Sequence, residues 1–315
     1  ALLAALAAFV GYLMQEFAPA PPPPPVPPEE PRAFGWVRDP AAVEAVKAEL
    51  PVPEFRTSEA FSAPYEGPDD VFLWDACRKV TGDLLPPRDQ KQVGSCVSFG
   101  TASAIEHLIC VQIATGERAE YRDLAQEVIY GGSRVEVGGG KIGGDGSVGA
   151  WAAKFVQDWG AVARGVYGSH DLTRYDEARC RDYGRRGVPA ELEPLAREHP
   201  VKTVANVKSW DECRAAVRNG YPVAVCSNQG FSMKRDADGF ARPQGSWAHC
   251  MAVVGVKGKP REGAFVLNSW GGSAHTGPGG AGNPSPAGFW ADADVVDRML
   301  RQGDSWAFSG FDGFP

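Results

Sequence analysis

The stretch from Arg88 to Gly100, RDQKQVGSCVSFG, sets one cysteine behind Gly94-Ser95 and directly ahead of a long apolar run. A thiol that serves only as a small buried hydrophobe sits inside such a run rather than at its edge. The pattern from Cys96 to Gly116 predicts a helix with Gly116 as its C-terminal cap. Phe99, Ala102, Ala104, Ile105, Leu108, Ile109, Val111 and Ile113 cover more than one face of it, so the helix is expected deep in the core. Cys96 is then its first residue. A thiolate there meets unpaired backbone N–H groups and the positive end of the helix dipole, which lower its pKa. That is half of an activated nucleophile; the other half is a base.

Five histidines are available: His107, His170, His199, His249 and His275. His107 lies on the same helix as Cys96, three turns on, and cannot touch the thiol. His170 and His199 stand in charged, proline-flanked loop text and are expected in water, and His275 in a mobile glycine-rich loop. His249 opens HCMAVVGV, an apolar strand pattern, so a rigid element fixes its imidazole. Asn268 follows 19 residues later, at the end of the strand pattern in FVLNSWGG. Its amide oxygen can accept from one imidazole nitrogen and hold the ring, and Trp270 can cover that bond. Gln90, six residues before Cys96, can join the Cys96 backbone N–H as an oxyanion donor; Gln92 is nearer, and spacing does not choose between them.

Outside these blocks the chain divides by composition. Residues 1–14, ALLAALAAFVGYLM, are apolar and uncharged, too short alone to span a bilayer, and are expected to be the end of a signal peptide or membrane anchor. Residues 15–32 hold the proline tract APAPPPPPVPPEEPR, an extended spacer. Residues 33–67 are an extension or a propeptide, with a short helical pattern at AAVEAVKAEL. Residues 68–315 carry the globular text, helix-rich to about residue 200 and strand-rich beyond, which makes an α+β fold. An exported or membrane-anchored protein of the cell envelope or extracellular space is expected.

The net charge of −7 argues against a nucleic-acid binder. Seven cysteines without a CxxC pair speak against a zinc knuckle or thioredoxin motif and leave up to three disulfides open. The glycine loop GGGKIGGDGSVG is no phosphate loop: Ile142 follows Gly140-Lys141, and Val135 stands where the first glycine belongs. HExxH is absent.

DQKQVGSCVSF, HCMAVVGV and FVLNSWGG, in that order, resemble the three signature blocks of papain-like cysteine peptidases, over roughly residues 70 to 290. Cys96 and His249 are 153 residues apart, near the family separation of about 130–150. The resemblance implies a papain-like two-lobed α+β fold, with a helical left lobe over about 85–200, a β-barrel-like right lobe over about 201–315 and the active-site cleft between them. It implies Cys96 as nucleophile, His249 as its ion-pair and acid–base partner, Asn268 as orienter and Gln90, at the family position, as oxyanion donor. In the family the Cys–His pair holds the thiol pKa at about 3–4. GGDGSVGAWAAKFVQDWG resembles the family's glycine segment and following helix, which places Gly146 and Ser147 beside the substrate backbone; Ala248 and Trp270 complete the substrate-binding set. FLWDACRK resembles the start of the mature domain.

The reaction so implied is thiol-dependent peptide hydrolysis by a monomer, acting on peptide or protein without metal or organic cofactor. A papain-fold acyltransferase or amidase, or a tethered binding module, is the alternative. The chain departs from the family at Val93 and Gly144, where a disulfide pair is lost, at Val97, which replaces an aromatic, and at Ala248, often Asp in plant members. Residues 33–67 show no helical inhibitory signature.

Overall fold

A computed structural model describes residues 32–58, 61 and 63–315. The apolar start and the proline tract assigned to residues 1–31 lie outside them. Among the described residues the order is α1 (Pro40–Glu49), β1 (Val71–Phe72), α2 (Trp74–Thr81), α3 (Cys96–Ala114), α4 (Gln126–Gly132), α5 (Gly149–Asp158), β2 (Val166–Tyr167), β3 (His170–Asp171), α6 (Glu177–Arg186), α7 (Glu193–Arg197), β4 (Val201–Asn206), α8 (Trp210–Arg218), β5 (Val223–Arg235), β6 (Ala241–Lys257), β7 (Gly263–Leu267), β8 (Gly288–Asp292), α9 (Ala293–Leu300) and β9 (Ser305–Phe311).

Helix α3 is the axis of the fold. Every residue from Cys96 to Cys110 is buried, because α2, α4 and α5 pack on one side of it and β5, β6 and β9 on the other. Its small residues set that approach: a Cβ added at Gly100 would stand 3.0 Å from the Cys250 sulfur of β6. Length and apolarity alone would let α3 cross a membrane, but here it is a core helix. Helix α1 starts on sequence logic: Asp39 caps it through the Ala42 N–H at 2.9 Å, and Pro40 opens it.

The loop into α3 is tied down by charge. Arg88 reaches Glu106 of α3 at 3.0 Å, and also bonds Asp123 and Tyr121, while Glu106 accepts the Leu124 N–H at 2.9 Å. Glu106 is buried, and burial raises its carboxyl pKa while Arg88 pulls it down. Glu106→Ala leaves Arg88 without its buried partner and is expected to cost about 3–5 kcal/mol. Urea unfolding monitored by circular dichroism checks this; a loss below about 1 kcal/mol would mean an exposed, weak pair.

Seven strands form one antiparallel sheet in the order β4-β9-β5-β6-β7-β8, with β1 pairing the far end of β6, and β2 pairs with β3 in a separate two-stranded sheet. This corrects the expected β-barrel-like lobe: β4 and β8 are opposite edges and do not meet, so the sheet stays open. Their outward backbone groups are used elsewhere. The Asn206 N–H donates to the Pro53 carbonyl at 3.0 Å, and the Trp290 N–H to that of Gly239 at 2.9 Å. Covering the edges this way removes the need for closure. Alternation along β5 sends Ala224 and Cys226 toward the helical core and Val223 and Val225 toward the cluster built on α8 and α9.

All seven cysteines are buried free thiols, so none of the disulfides left open by the sequence is formed. Helix α6 buries Cys180, Tyr183 and Gly184 against α4 rather than lying free on the surface.

Candidate active site

Cys96 is the first residue of α3, fully buried, and its sulfur faces the backbone amides of Cys250, Gly35 and Val97. The Cys250 amide belongs to β6 one residue beyond His249, which brings the helix start and the histidine strand together. His249 pairs with Ser227 of β5, which fixes its backbone in the sheet. Its Nε2 lies 2.8 Å from Asn268 Oδ1. That oxygen also accepts the Ser269 N–H at 2.7 Å, which identifies it as the carbonyl end of the amide. The imidazole N–H is therefore on Nε2, and Nδ1, buried and without a hydrogen-bond partner, keeps its lone pair as a base. Trp270 stacks on the His249 ring at 4.5 Å between centroids and is itself nearly buried, so it shields the His–Asn bond from water.

Gln90, not Gln92, stands at this site. Gln90 is buried, its Oε1 accepts from Ser269 Oγ at 2.6 Å, and its Nε2 donates to Val93 O at 2.9 Å and Ala33 O at 3.2 Å. Gln92 is exposed and its backbone N–H goes to Glu177. His275, expected mobile in a glycine loop, is instead buried, with Nε2 3.1 Å from Asn268 Nδ2. It steadies the amide that steadies His249.

The chain's own residues 33–37 lie across these groups. Ala33 O accepts from Gln90 Nε2 and from Trp270 Nε1, each at 3.2 Å. The Gly35 and Trp36 N–H groups donate to Ala248 O at 3.1 and 3.0 Å, Ser147 N donates to Gly35 O at 2.8 Å, and Val37 N donates to Ser147 O at 2.9 Å. The Phe34 ring stands edge-on to His249 and Trp270, at 5.9 and 5.6 Å. Ser147, Ala248 and Trp270 thus all touch this strap. Gly146 differs: its N–H donates to the Tyr130 hydroxyl at 3.0 Å rather than to the strap, and its carbonyl accepts from Arg134. The strap fits only because it carries glycine at its narrowest point: a Cβ at Gly35 would lie 1.9 Å from the Gly94 carbonyl oxygen.

Burial acts on the ionisation of both Cys96 and His249. Burial pushes the Cys96 thiol well above its ordinary value, against the amides that favour the thiolate. Burial also lowers His249 to about 4, with the Asn268 bond pulling the other way. With the site covered, burial works against the charged form of each group, which opposes the depressed thiol pKa that the family resemblance implies. Two features here have no local sequence signal. The strap AFGWV reads as linker, and Asp304, which anchors Trp36 through Nε1 at 2.8 Å, is 268 residues away from it.

Comparison with known proteins follows the same lines. Xylellain, a cysteine protease from Xylella fastidiosa, superposes with a TM-score of 0.59 at 16% identity, over 89% of this chain and 98% of that one. The ragweed pollen allergen Amb a 11, a cysteine protease solved in its proform, gives 0.52 at 16% identity, over 85% and 73%. At this identity the likeness concerns the fold. A search of curated proteins found no match. The family model described as papain family cysteine protease matches residues 73–278, well over half of the chain. With that span covering α2 to the loop beyond His275, the chain belongs to the papain family of cysteine proteases and is a cysteine-type peptidase acting by thiol-dependent hydrolysis.

Proposed function

We propose that Cys96 is the nucleophile of this peptidase, His249 its acid–base partner, Asn268 the orienter, and Gln90 Nε2 with the Cys96 N–H the oxyanion donors. The thiolate adds to the peptide carbonyl, the imidazolium gives its proton to the departing amine, and water, deprotonated by His249, hydrolyses the thioester. The observation that carries this assignment is the His249–Asn268 bond at 2.8 Å, with the opposite imidazole nitrogen left unpaired on the strand whose next amide, that of Cys250, faces the Cys96 sulfur. Ser147 and Ala248 supply the backbone donor and acceptors for an extended peptide, with Gly146 and Trp270 as neighbouring walls. The apolar start and proline tract support an exported or anchored enzyme, and a monomer accounts for a site drawn wholly from one chain.

Residues 33–37 are, in this reading, a built-in plug that holds the enzyme latent. They take up the groups a substrate needs: Gln90 Nε2, both backbone groups of Ser147 and the Ala248 carbonyl. Gly35→Ala tests it. An added methyl in a packed contact costs about 1–3 kcal/mol, so the uncovered fraction, and alkylation of Cys96 with it, is expected to rise by about 10–100-fold. Mass spectrometry of iodoacetamide-treated protein reads the rate, with Cys96→Ala as the unlabelled control. An unchanged rate in a folded Gly35→Ala protein sinks the plug.

A further inference from the structure

The plug ends in an indole seated on a buried carboxylate. Asp304 is 2% exposed and its two oxygens receive four N–H donors. Oδ1 accepts from Ala150 N at 2.7 Å and Trp306 Nε1 at 2.9 Å; Oδ2 accepts from Gly149 N at 2.7 Å and Trp36 Nε1 at 2.8 Å. A carboxylate offers about four acceptor positions. Three of these are filled by the body of the enzyme, two of them by the first amides of α5, and only the fourth by the plug. When residues 33–37 leave, one lone pair of Oδ2 faces the vacated pocket.

The pocket is shaped to keep that acceptor reachable. Gly149 has no side chain, and a Cβ there would stand 2.7 Å from Asp304 Oδ1 and 2.8 Å from the Cys226 sulfur. The missing side chain at Gly149 leaves room for the carboxylate itself, and Trp36, 4% exposed, is buried with its indole N–H on Oδ2. Trp36 also pairs with Ser147 by backbone, so a peptide residue that pairs with Ser147 sends its side chain to the same place.

Resting on the peptidase reading above, we infer that Asp304 is a specificity-determining residue: the peptidase prefers substrates that place tryptophan, a broad apolar ring with one N–H donor, into the Trp36 pocket. Phenylalanine fills the space but leaves a buried carboxylate lone pair unmet, the situation in which a site built for a hydrogen bond rejects the analogue lacking it. Burial raises the Asp304 pKa while its four donors lower it, and the donors are arranged for the ionised acceptor.

The test uses the full-length Gly35→Ala chain beside the wild type and a fluorogenic peptide library scanning Trp, Phe, Leu and Arg at each position. Tryptophan is expected to exceed phenylalanine by about 10²-fold in kcat/KM at one position. In Asp304→Asn that ratio is expected to fall at least about tenfold, as a charged acceptor becomes a neutral one. Phenylalanine or leucine matching tryptophan, arginine exceeding it, or an unchanged ratio in a folded Asp304→Asn protein overturns the inference. If Asp304→Asn fails to fold, the ratio with Asp304 in place decides alone. Cleavage without a tryptophan preference removes this inference and leaves the peptidase assignment standing. Absence of both cleavage and Cys96 alkylation removes the assignment and the inference together. If Cys96 is alkylated but no peptide is cut, protection of Cys96 decides: tryptophan peptides must slow alkylation more than their phenylalanine counterparts.

Discussion

Cys96→Ala is expected to lower kcat for peptide hydrolysis by about 10⁴–10⁶-fold, the range lost when the nucleophile of a cooperating constellation is removed. The loss is this large because no other thiol can take over. Cys250 and Cys226, its nearest sulfur neighbours, lie in β6 and β5 on the core side of the sheet, fully buried. Asn268→Ala should cost less, since it leaves sulfur and imidazole in place and releases only the ring orientation held at 2.8 Å. Steady-state kinetics on the Gly35→Ala background measures both, per active site titrated with an epoxysuccinyl reagent for Asn268→Ala and per mole of folded protein for Cys96→Ala. Residual activity above about 1% in Cys96→Ala, far beyond what a triad knockout leaves, would place the nucleophile elsewhere.

The second large effect is on stability in acid. Burial lowers three histidines in the folded protein, His107 to about 4, His249 to about 4 and His275 to about 3, from an ordinary 6.5. Below pH 6.5 the unfolded chain binds protons that the folded one refuses, so stability falls as pH falls, over the window from 6.5 down to about 4. Each histidine contributes a loss of about 3 kcal/mol across that window, and the three together reach the scale of a domain's whole stability. Glu106 and Asp304, whose pKa values are raised, work in the opposite direction because the folded protein holds their protons more readily. Urea midpoints at pH 7, 6, 5 and 4 should therefore fall steeply, and His107→Gln, far from the reaction, should flatten the curve by about a third of the histidine loss. A pH-independent midpoint over this range would mean that the three rings are solvated.

Much of the candidate site was legible because its members stand at places the chain marks locally. Cys96 is at a helix start, His249 at the head of an apolar run and Asn268 at the end of another, and each is where the structure puts it. The family resemblance selects Gln90 over Gln92, which spacing could not do. The open sheet was not legible, since strand patterns say which segments pair but not whether the outermost two meet. That depends on Pro53 and Gly239, whose carbonyls satisfy the edges from distant loops. His275 looked mobile because its neighbours are glycines, yet Asn268 and the Phe289 ring hold it. The strap was hidden for the same reason. AFGWV has no periodic pattern, and its partners Gln90, Ser147, Ala248 and Asp304 are spread over the rest of the chain.

Because all seven cysteines are free in the folded chain, no loop is closed by a bond that dithiothreitol can open. Reductant can therefore be kept at the level needed to maintain Cys96 as a thiol throughout purification and assay without loosening the scaffold around it.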